Sequence, residues 1–215
     1  MKNRSFLLVV WLLIWVVAGP AVGESGFEEE VHYFSVIPEQ PGGEGSKVQV
    51  KEFFLYTCPH CYNLEPHMNN WLKTKPKTVD FERVPAMFNS PDVVMQAKTF
   101  YALRLLGVVD ELHEKIFHEV HEKGAKLSDQ DAMEAFLAQH GVDLEAYRKA
   151  MKSFAVQTQA RRASVLADRF DVRRVPAIVV DGKYRTGGLD GQTMMELTDY
   201  LIAKVEQEKA AKKGQ

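Results

Sequence analysis

Hydrophobic positions change their period several times along this chain, and each change marks an element. Phe6 to Ala18 is an unbroken apolar run of 13 residues. Val31 to Ile37 then predicts a first strand, ended by the turn-forming stretch Pro38 to Ser46. Val48 to Tyr56 alternates and then becomes continuously apolar, as a strand does on entering the middle of a sheet. Thr57 is placed to cap a helix that begins at Cys58-Pro59 and runs to about Lys73, with Tyr62, Leu64, Met68, Trp71 and Leu72 as its apolar positions. Pro66 falls inside that helix and predicts a kink, because it has no N–H for the Tyr62 carbonyl. Val79 to Val84 reads as the next strand.

From Ser90 to Asp171 the apolar spacing becomes three and four, with few β-branched runs. It predicts helices over Pro91–Leu106, Asp110–Glu122, Ser128–His140, Asp143–Phe154 and Gln157–Phe170. Ser128 with Asp131 predicts an amino-terminal cap, and Gly107, Gly124 and Gly141 sit where helices stop. Val175 to Val180 then reads as a buried strand, Asp181-Gly182 as a hairpin turn, and Lys183 to Thr186 as its short partner. A last helix is expected from Gly191 to about Lys209, followed by a frayed charged tail. Neither an internal repeat nor a low-complexity segment is present in the sequence.

Charge and the amino terminus narrow the picture. Lys2 and Arg4 precede the apolar run, and Gly19-Pro20 and the small residues Ala21-Val22-Gly23 follow it. This is the pattern of a cleavable secretory signal over residues 1–23, and 13 apolar residues fall short of a relaxed membrane span. An uncleaved membrane anchor is the competing reading. Cleavage near Gly23-Glu24 removes two cations and no acids, which takes the formal charge from -2 to -4. With 27 Lys and Arg against 29 Asp and Glu, the composition excludes a basic nucleic-acid binder. The two cysteines are too few for a multi-bridge scaffold or an all-cysteine zinc site. Export would put them where disulfides persist.

Both cysteines lie in Cys58-Pro59-His60-Cys61, where a buried strand passes into a helix. Unpaired backbone N–H groups and the positive end of the helix dipole face the first thiol and favour its thiolate, the species that attacks disulfides. His60 adds positive charge or a donor, Pro59 fits an early helical position, and Cys61, one turn in, is suited to resolve a mixed disulfide. A structural disulfide remains open, although so short a ring contributes little chain-entropy stabilisation. A zinc half-site would need two histidines from elsewhere, and only His67 is near in sequence. The strand-to-helix context favours a thioredoxin-like redox pair.

Glu52-Phe53-Phe54, the Cys58-Pro59-His60-Cys61-Tyr62 motif, Arg174-Val175-Pro176-Ala177 and Asp181-Gly182-Lys183-Tyr184 together resemble the DsbA family of periplasmic thiol oxidases. The Pro-His pair is the specific part, since thioredoxin reductants typically carry Gly-Pro there and eukaryotic disulfide isomerases Gly-His. The resemblance implies an α/β, thioredoxin-like fold over residues 24–88 and 173–215, interrupted by an all-helical insertion over 89–172. It also implies a cis Pro176 facing the cysteines, with Val175 beside bound substrate, and an acid, Glu52, buried beneath the pair as a proton relay for Cys61. Strand parity places Glu52 on a largely apolar face, with Arg83 as its candidate partner; an edge glutamate reaching water is the alternative. Thr57 departs from the aromatic residue of the best-known members.

The resulting expectation is a thiol:disulfide oxidase of a Gram-negative periplasm, acting on newly exported polypeptides with free thiols. No metal, flavin or nucleotide motif is present, so the Cys58–Cys61 pair is itself the redox cofactor. A quinone-linked membrane oxidase of the DsbB type is the implied reoxidant, and a monomer with no nucleic-acid partner is expected. A reductase or isomerase on the same fold is the nearest rival, and an exported holdase with an incidental disulfide a further one. His113, His118 and His121, set among Glu114, Lys115, Glu119 and Glu122, read as a solvated helix face rather than a metal site.

Overall fold

A computed structural model describes residues 26–86 and 90–214; the signal and cleavage pattern over residues 1–23 lies outside the described residues. Five strands form one mixed sheet in the order β1-β5-β4-β2-β3. They are β1 Tyr33–Ser35, β2 Val48–Phe54, β3 Val79–Pro85, β4 Ala177–Val180 and β5 Tyr184–Thr186. Strand β2 is central, buried along most of its length, parallel to β3 from Val48–Val79 to Phe54–Pro85 and antiparallel to β4 from Val50–Val180 to Phe53–Ala177. The parallel pair is joined by helix α1 (Pro59–Thr74), as a crossover between parallel strands requires.

On one face of the sheet α1 packs beside the carboxy-terminal helix α7 (Gly191–Lys213). Val50, Ile178, Leu64, Met68, Met194 and Leu197 close that core. The Trp71 indole donates to Asp199 Oδ1 at 2.7 Å and ties α1 to α7. Between β3 and β4 the chain forms α2 (Pro91–Leu105), α3 (Val109–His121), α4 (Gln130–Gln139), α5 (Leu144–Lys152) and α6 (Phe154–Arg169). Their core, which includes Phe100, Ile116, Phe117, Met133 and Leu137, is continuous with Phe53, Phe54 and Tyr56 at the end of β2. Each such side chain contributes about 1.5 to 3 kcal/mol on full burial, so the helices anchor the strand end from which the Cys-Pro-His-Cys segment emerges. Among the described residues no helix is long and apolar enough to cross a membrane.

Several boundaries differ from the sequence expectation for identifiable reasons. Strand β1 is confined to the three residues that pair with β5, while Val31 and Ile37 face solvent. Helix α4 is capped by Asp129, whose carboxylate accepts from Ala132 N, and not by Ser128. Ser153 ends α5 in an extended conformation and its hydroxyl accepts from Val156 N, so α6 starts at Phe154 rather than Gln157. The last helix continues to Lys213, beyond the tail expected to fray from residue 210. Helix α1 runs through Pro66 and takes Cys58, not Thr57, as its N-cap residue. The Asp181-Gly182 turn forms as expected, with both residues at positive φ (53° and 69°). A side chain at position 182 would meet the Gln40 carbonyl at 2.4 Å, so glycine is required there.

Candidate active site

Because β2 leads directly into α1, Cys58 sits at the helix amino terminus in the position normally held by a capping Ser or Asp. Its N–H donates to Leu55 O at 3.1 Å, which closes the turn, and its carbonyl accepts the first helical bond, from Tyr62 N at 3.1 Å. Both cysteines are free thiols in the structure. Cys58 is half-buried and Cys61 fully buried. The Cys61 thiol, the N–H groups of Cys61 and His60, and the charge on the His60 ring all favour the Cys58 anion and lower its pKa to about 6. None of these is a short, well-aligned cap bond. Cys61 moves the opposite way, pushed up first by burial and then by its contact with Cys58 and the charge of Glu52. The pair therefore holds an ionisable, accessible sulfur next to one that keeps its proton.

Opposite the pair, the Val175–Pro176 peptide is cis and lies just before β4. The Cys58 Sγ is 3.5 Å from the Val175 carbonyl, so the loop faces the accessible sulfur. His60, Val175 and Pro176 share the lining of a groove of about 720 Å³ with the apolar residues Val31, Phe34 and Leu189.

Below the cysteines, Glu52 is fully buried and directly opposite Arg83 in the β2–β3 register, which puts both side chains on one face. The Arg83 Nε is 3.1 Å from Glu52 Oε2, an ion-pair contact without hydrogen-bond alignment. Burial, reinforced by Glu65, raises the Glu52 pKa to about 7 despite Arg83. Arg83 also donates to Glu65 Oε2 and to Asn69 Oδ1, each at 3.2 Å. His113 Nε2 is 3.3 Å from Glu65 Oε1, and its Nδ1 is 2.9 Å from the Tyr56 hydroxyl. Burial, with repulsion from Arg83, pulls the His113 pKa down to about 3, so its ring is neutral. The neutral ring donates from Nε2 to the carboxylate and accepts from the Tyr56 O–H.

This chain of polar groups corrects the solvated reading of the histidines. His113 is 4% exposed; His121, part-buried, donates to the Tyr56 carbonyl at 2.8 Å and stacks on Tyr62 at 4.9 Å; only His118 faces solvent. Sequence reasoning missed Glu65 and the role of His113. The available signal was helical spacing: Glu65 is four residues after Cys61 and three before Met68, and His113 three before Ile116 and four before Phe117, so each lies on a buried stripe. Among the described residues, no group of three or more His, Cys, Asp or Glu side chains is arranged to hold a metal ion.

A profile described as the DSBA-like thioredoxin domain matches residues 49–203, a span that contains both cysteines, the cis Pro176 and the Glu52–Arg83–Glu65–His113 cluster. The chain belongs to this DsbA-like family. It is 38% identical over 182 residues to the thiol:disulfide interchange protein DsbA of Azotobacter vinelandii, covering 83% of each chain. It is 34% identical over 213 residues to that of Pseudomonas aeruginosa, covering 98% and 99%. The crystal structure of Pseudomonas aeruginosa DsbA superposes with a TM-score of 0.80 at 34% identity, over 88% of this chain and 98% of that one. The Xylella fastidiosa DsbA structure gives 0.76 at 28% identity, over 82% and 96%. The DsbA-like fold thus accounts for the mixed sheet and the helices inserted between β3 and β4, and the chain is a thiol:disulfide oxidoreductase.

Proposed function

We propose that this protein is an exported oxidase that passes the Cys58–Cys61 disulfide to polypeptides carrying free thiols, with Cys58 as the sulfur that substrates attack. A substrate thiolate attacks Cys58 Sγ, forms a mixed disulfide and expels Cys61 as a thiolate. Burial makes that thiolate unstable, so it takes a proton, and Glu52, raised to about 7, is a suitable donor beneath it. A second substrate thiolate attacks the substrate sulfur of the mixed disulfide, forming the product disulfide and releasing Cys58 as a stable, low-pKa leaving thiolate. The enzyme gains the two electrons that the substrate dithiol loses, and an external oxidant must remove them. A quinone-linked membrane protein of the DsbB type, in a Gram-negative periplasm, is the reoxidant this reading requires.

Pro59 starts the helix and His60 adds charge at the sulfur, while Val175 and Pro176 form the wall against which substrate lies. The cysteine pair is the redox cofactor. The observation that supports the reading most directly is the asymmetry of the two sulfurs, one at the helix start under the Val175 carbonyl and one buried. Replacing each cysteine in turn tests it. Cys58→Ser should lose oxidation of a reduced dithiol peptide, whereas Cys61→Ser should accumulate mixed disulfides at Cys58, read as reductant-sensitive adducts by mass spectrometry. Equilibration of the wild type with glutathione should leave it largely reduced. Adducts on Cys61, or an equilibrium favouring the enzyme disulfide, would refute the oxidase assignment.

A further inference from the structure

Resting on the oxidase reading, we propose that the groove beside Cys58 favours substrate cysteines flanked by acidic residues, and that Arg174 is the residue that sets this preference. The chain as a whole carries a formal charge of -2, yet the groove lining holds Arg173, Arg174 and Arg185 against Asp171 and Asp190. Both acids are already engaged. Asp171 accepts from Arg173 Nε at 2.9 Å and from a terminal nitrogen of Arg185 at 3.0 Å. Asp190 caps α7, accepting from the Thr193 N–H at 3.1 Å and its hydroxyl at 2.6 Å. Those bonds hold its carboxyl below the usual range.

Two of the three arginines are committed as well. Arg173 also reaches Asp168 at 3.2 Å, and the Arg185 guanidinium lies 4.6 Å over the Phe34 ring. Arg174 is different: it is exposed, and among the described residues no carboxylate lies within ion-pair distance of it. It immediately precedes Val175, whose carbonyl contacts the Cys58 sulfur, and consecutive Cα atoms are about 3.8 Å apart. An uncompensated cation therefore stands at the lip of the groove, one residue before the carbonyl that contacts the reacting sulfur. A peptide lying along Val31, Phe34 and Leu189 with its cysteine at Cys58 brings its flanking side chains within reach of Arg174. Acidic flanks gain attraction there and basic flanks meet repulsion.

Two dithiol peptides, identical except that Glu or Lys flanks each cysteine, test this. The quantity read is the ratio of their second-order oxidation rate constants, Glu over Lys. Flanking acids also raise the peptide's own thiol pKa, so the ratio is compared between enzyme variants, where that effect cancels. At low ionic strength, Arg174→Ala should lower the ratio by about fivefold, which at 1.4 kcal/mol per tenfold is about 1 kcal/mol. Arg174→Glu should lower it further and accelerate the Lys peptide. Added salt should move the wild-type ratio toward that of Arg174→Ala. Arg161→Ala, on the exposed side of α6, is the control and should leave the ratio unchanged. Equal ratios in wild type and Arg174→Glu, or a change of the same size in Arg161→Ala, would overturn the assignment to Arg174. Failure of the wild type to oxidise either peptide would instead refute the oxidase reading on which the inference rests.

Discussion

Glu52 and His113 are buried titratable groups of one cluster, and burial shifts them in opposite directions on the pH axis. With its folded pKa raised to about 7 from an ordinary value of 4.5, Glu52 keeps a proton in the folded protein that the unfolded chain has released. Stability from this group is therefore complete below pH 4.5 and is lost as pH rises through 7. His113, held to about 3 against an ordinary 6.5, refuses a proton that the unfolded chain accepts, so stability falls as pH drops from 6.5 toward 3. Between about pH 4.5 and 6.5 the two oppose each other. Glu52→Gln removes one side of that balance. Its stability should decline steadily on acidification from pH 6.5, and relative to wild type it should gain on the order of 2 kcal/mol between pH 4.5 and 7.5 in urea melts. Curves that stay parallel would mean that Glu52 is ionised throughout. Strand parity exposed Glu52 in the sequence because every second residue of a strand shares a face. His113 was hidden because its helical neighbours Glu114 and Lys115 are charged, and only three-and-four spacing separates a buried position from a solvated one there.

Helix α3 holds the segment that carries the cysteines in place. His121, at its carboxy-terminal end, donates to the carbonyl of Tyr56, two residues before Cys58, and lies flat against Tyr62, the residue after Cys61. Tyr62 in turn donates from its hydroxyl to Glu122 at 2.8 Å. One helix end thus touches the segment on both sides of the motif. His121→Ala leaves the Tyr56 carbonyl without its donor and should destabilise the protein by about 1 to 3 kcal/mol in urea, with faster hydrogen exchange over residues 56–62 than elsewhere. A loss spread evenly over α3, with no local exchange, would mean that the contact only packs the helix. At this scale the long helices and the central strand were legible, since their period runs over many residues. What the sequence concealed were features decided by one side chain or by a partner strand. Ser153 splits α5 from α6, Asp129 displaces Ser128 as a cap, and β1 extends only as far as β5 can pair with it.

Across the whole molecule, the two sulfurs make the relative stability of the redox forms depend on pH, because only the reduced protein titrates there. The Cys58 pKa is depressed to about 6, so its contribution is fully present above the unfolded thiol pKa of about 8.5 and is lost as pH falls through 6. The Cys61 pKa is raised, so its contribution is present below the unfolded value and lost as pH climbs past it. The oxidised protein has neither, and its cross-link adds only a pH-independent offset, small for so short a loop. The stability of the reduced form relative to the oxidised form should therefore rise from pH 6, peak near pH 8.5 and fall beyond it. At 1.36 kcal/mol per pH unit, and discounted because Cys58 is only half-buried, the rise should be about 1 to 2 kcal/mol. The folded pair is more oxidising than the same pair in an unfolded chain only where folding favours the dithiol. The oxidase reading therefore requires the reduced form to be the more stable at pH 7, with its lead widest near pH 8.5 and smallest at pH 5. Paired urea melts of both forms at pH 5, 7, 8.5 and 10 measure the difference directly. A difference that stays flat over this range would show that the fold does not tune its sulfurs and that the pair is a passive bridge.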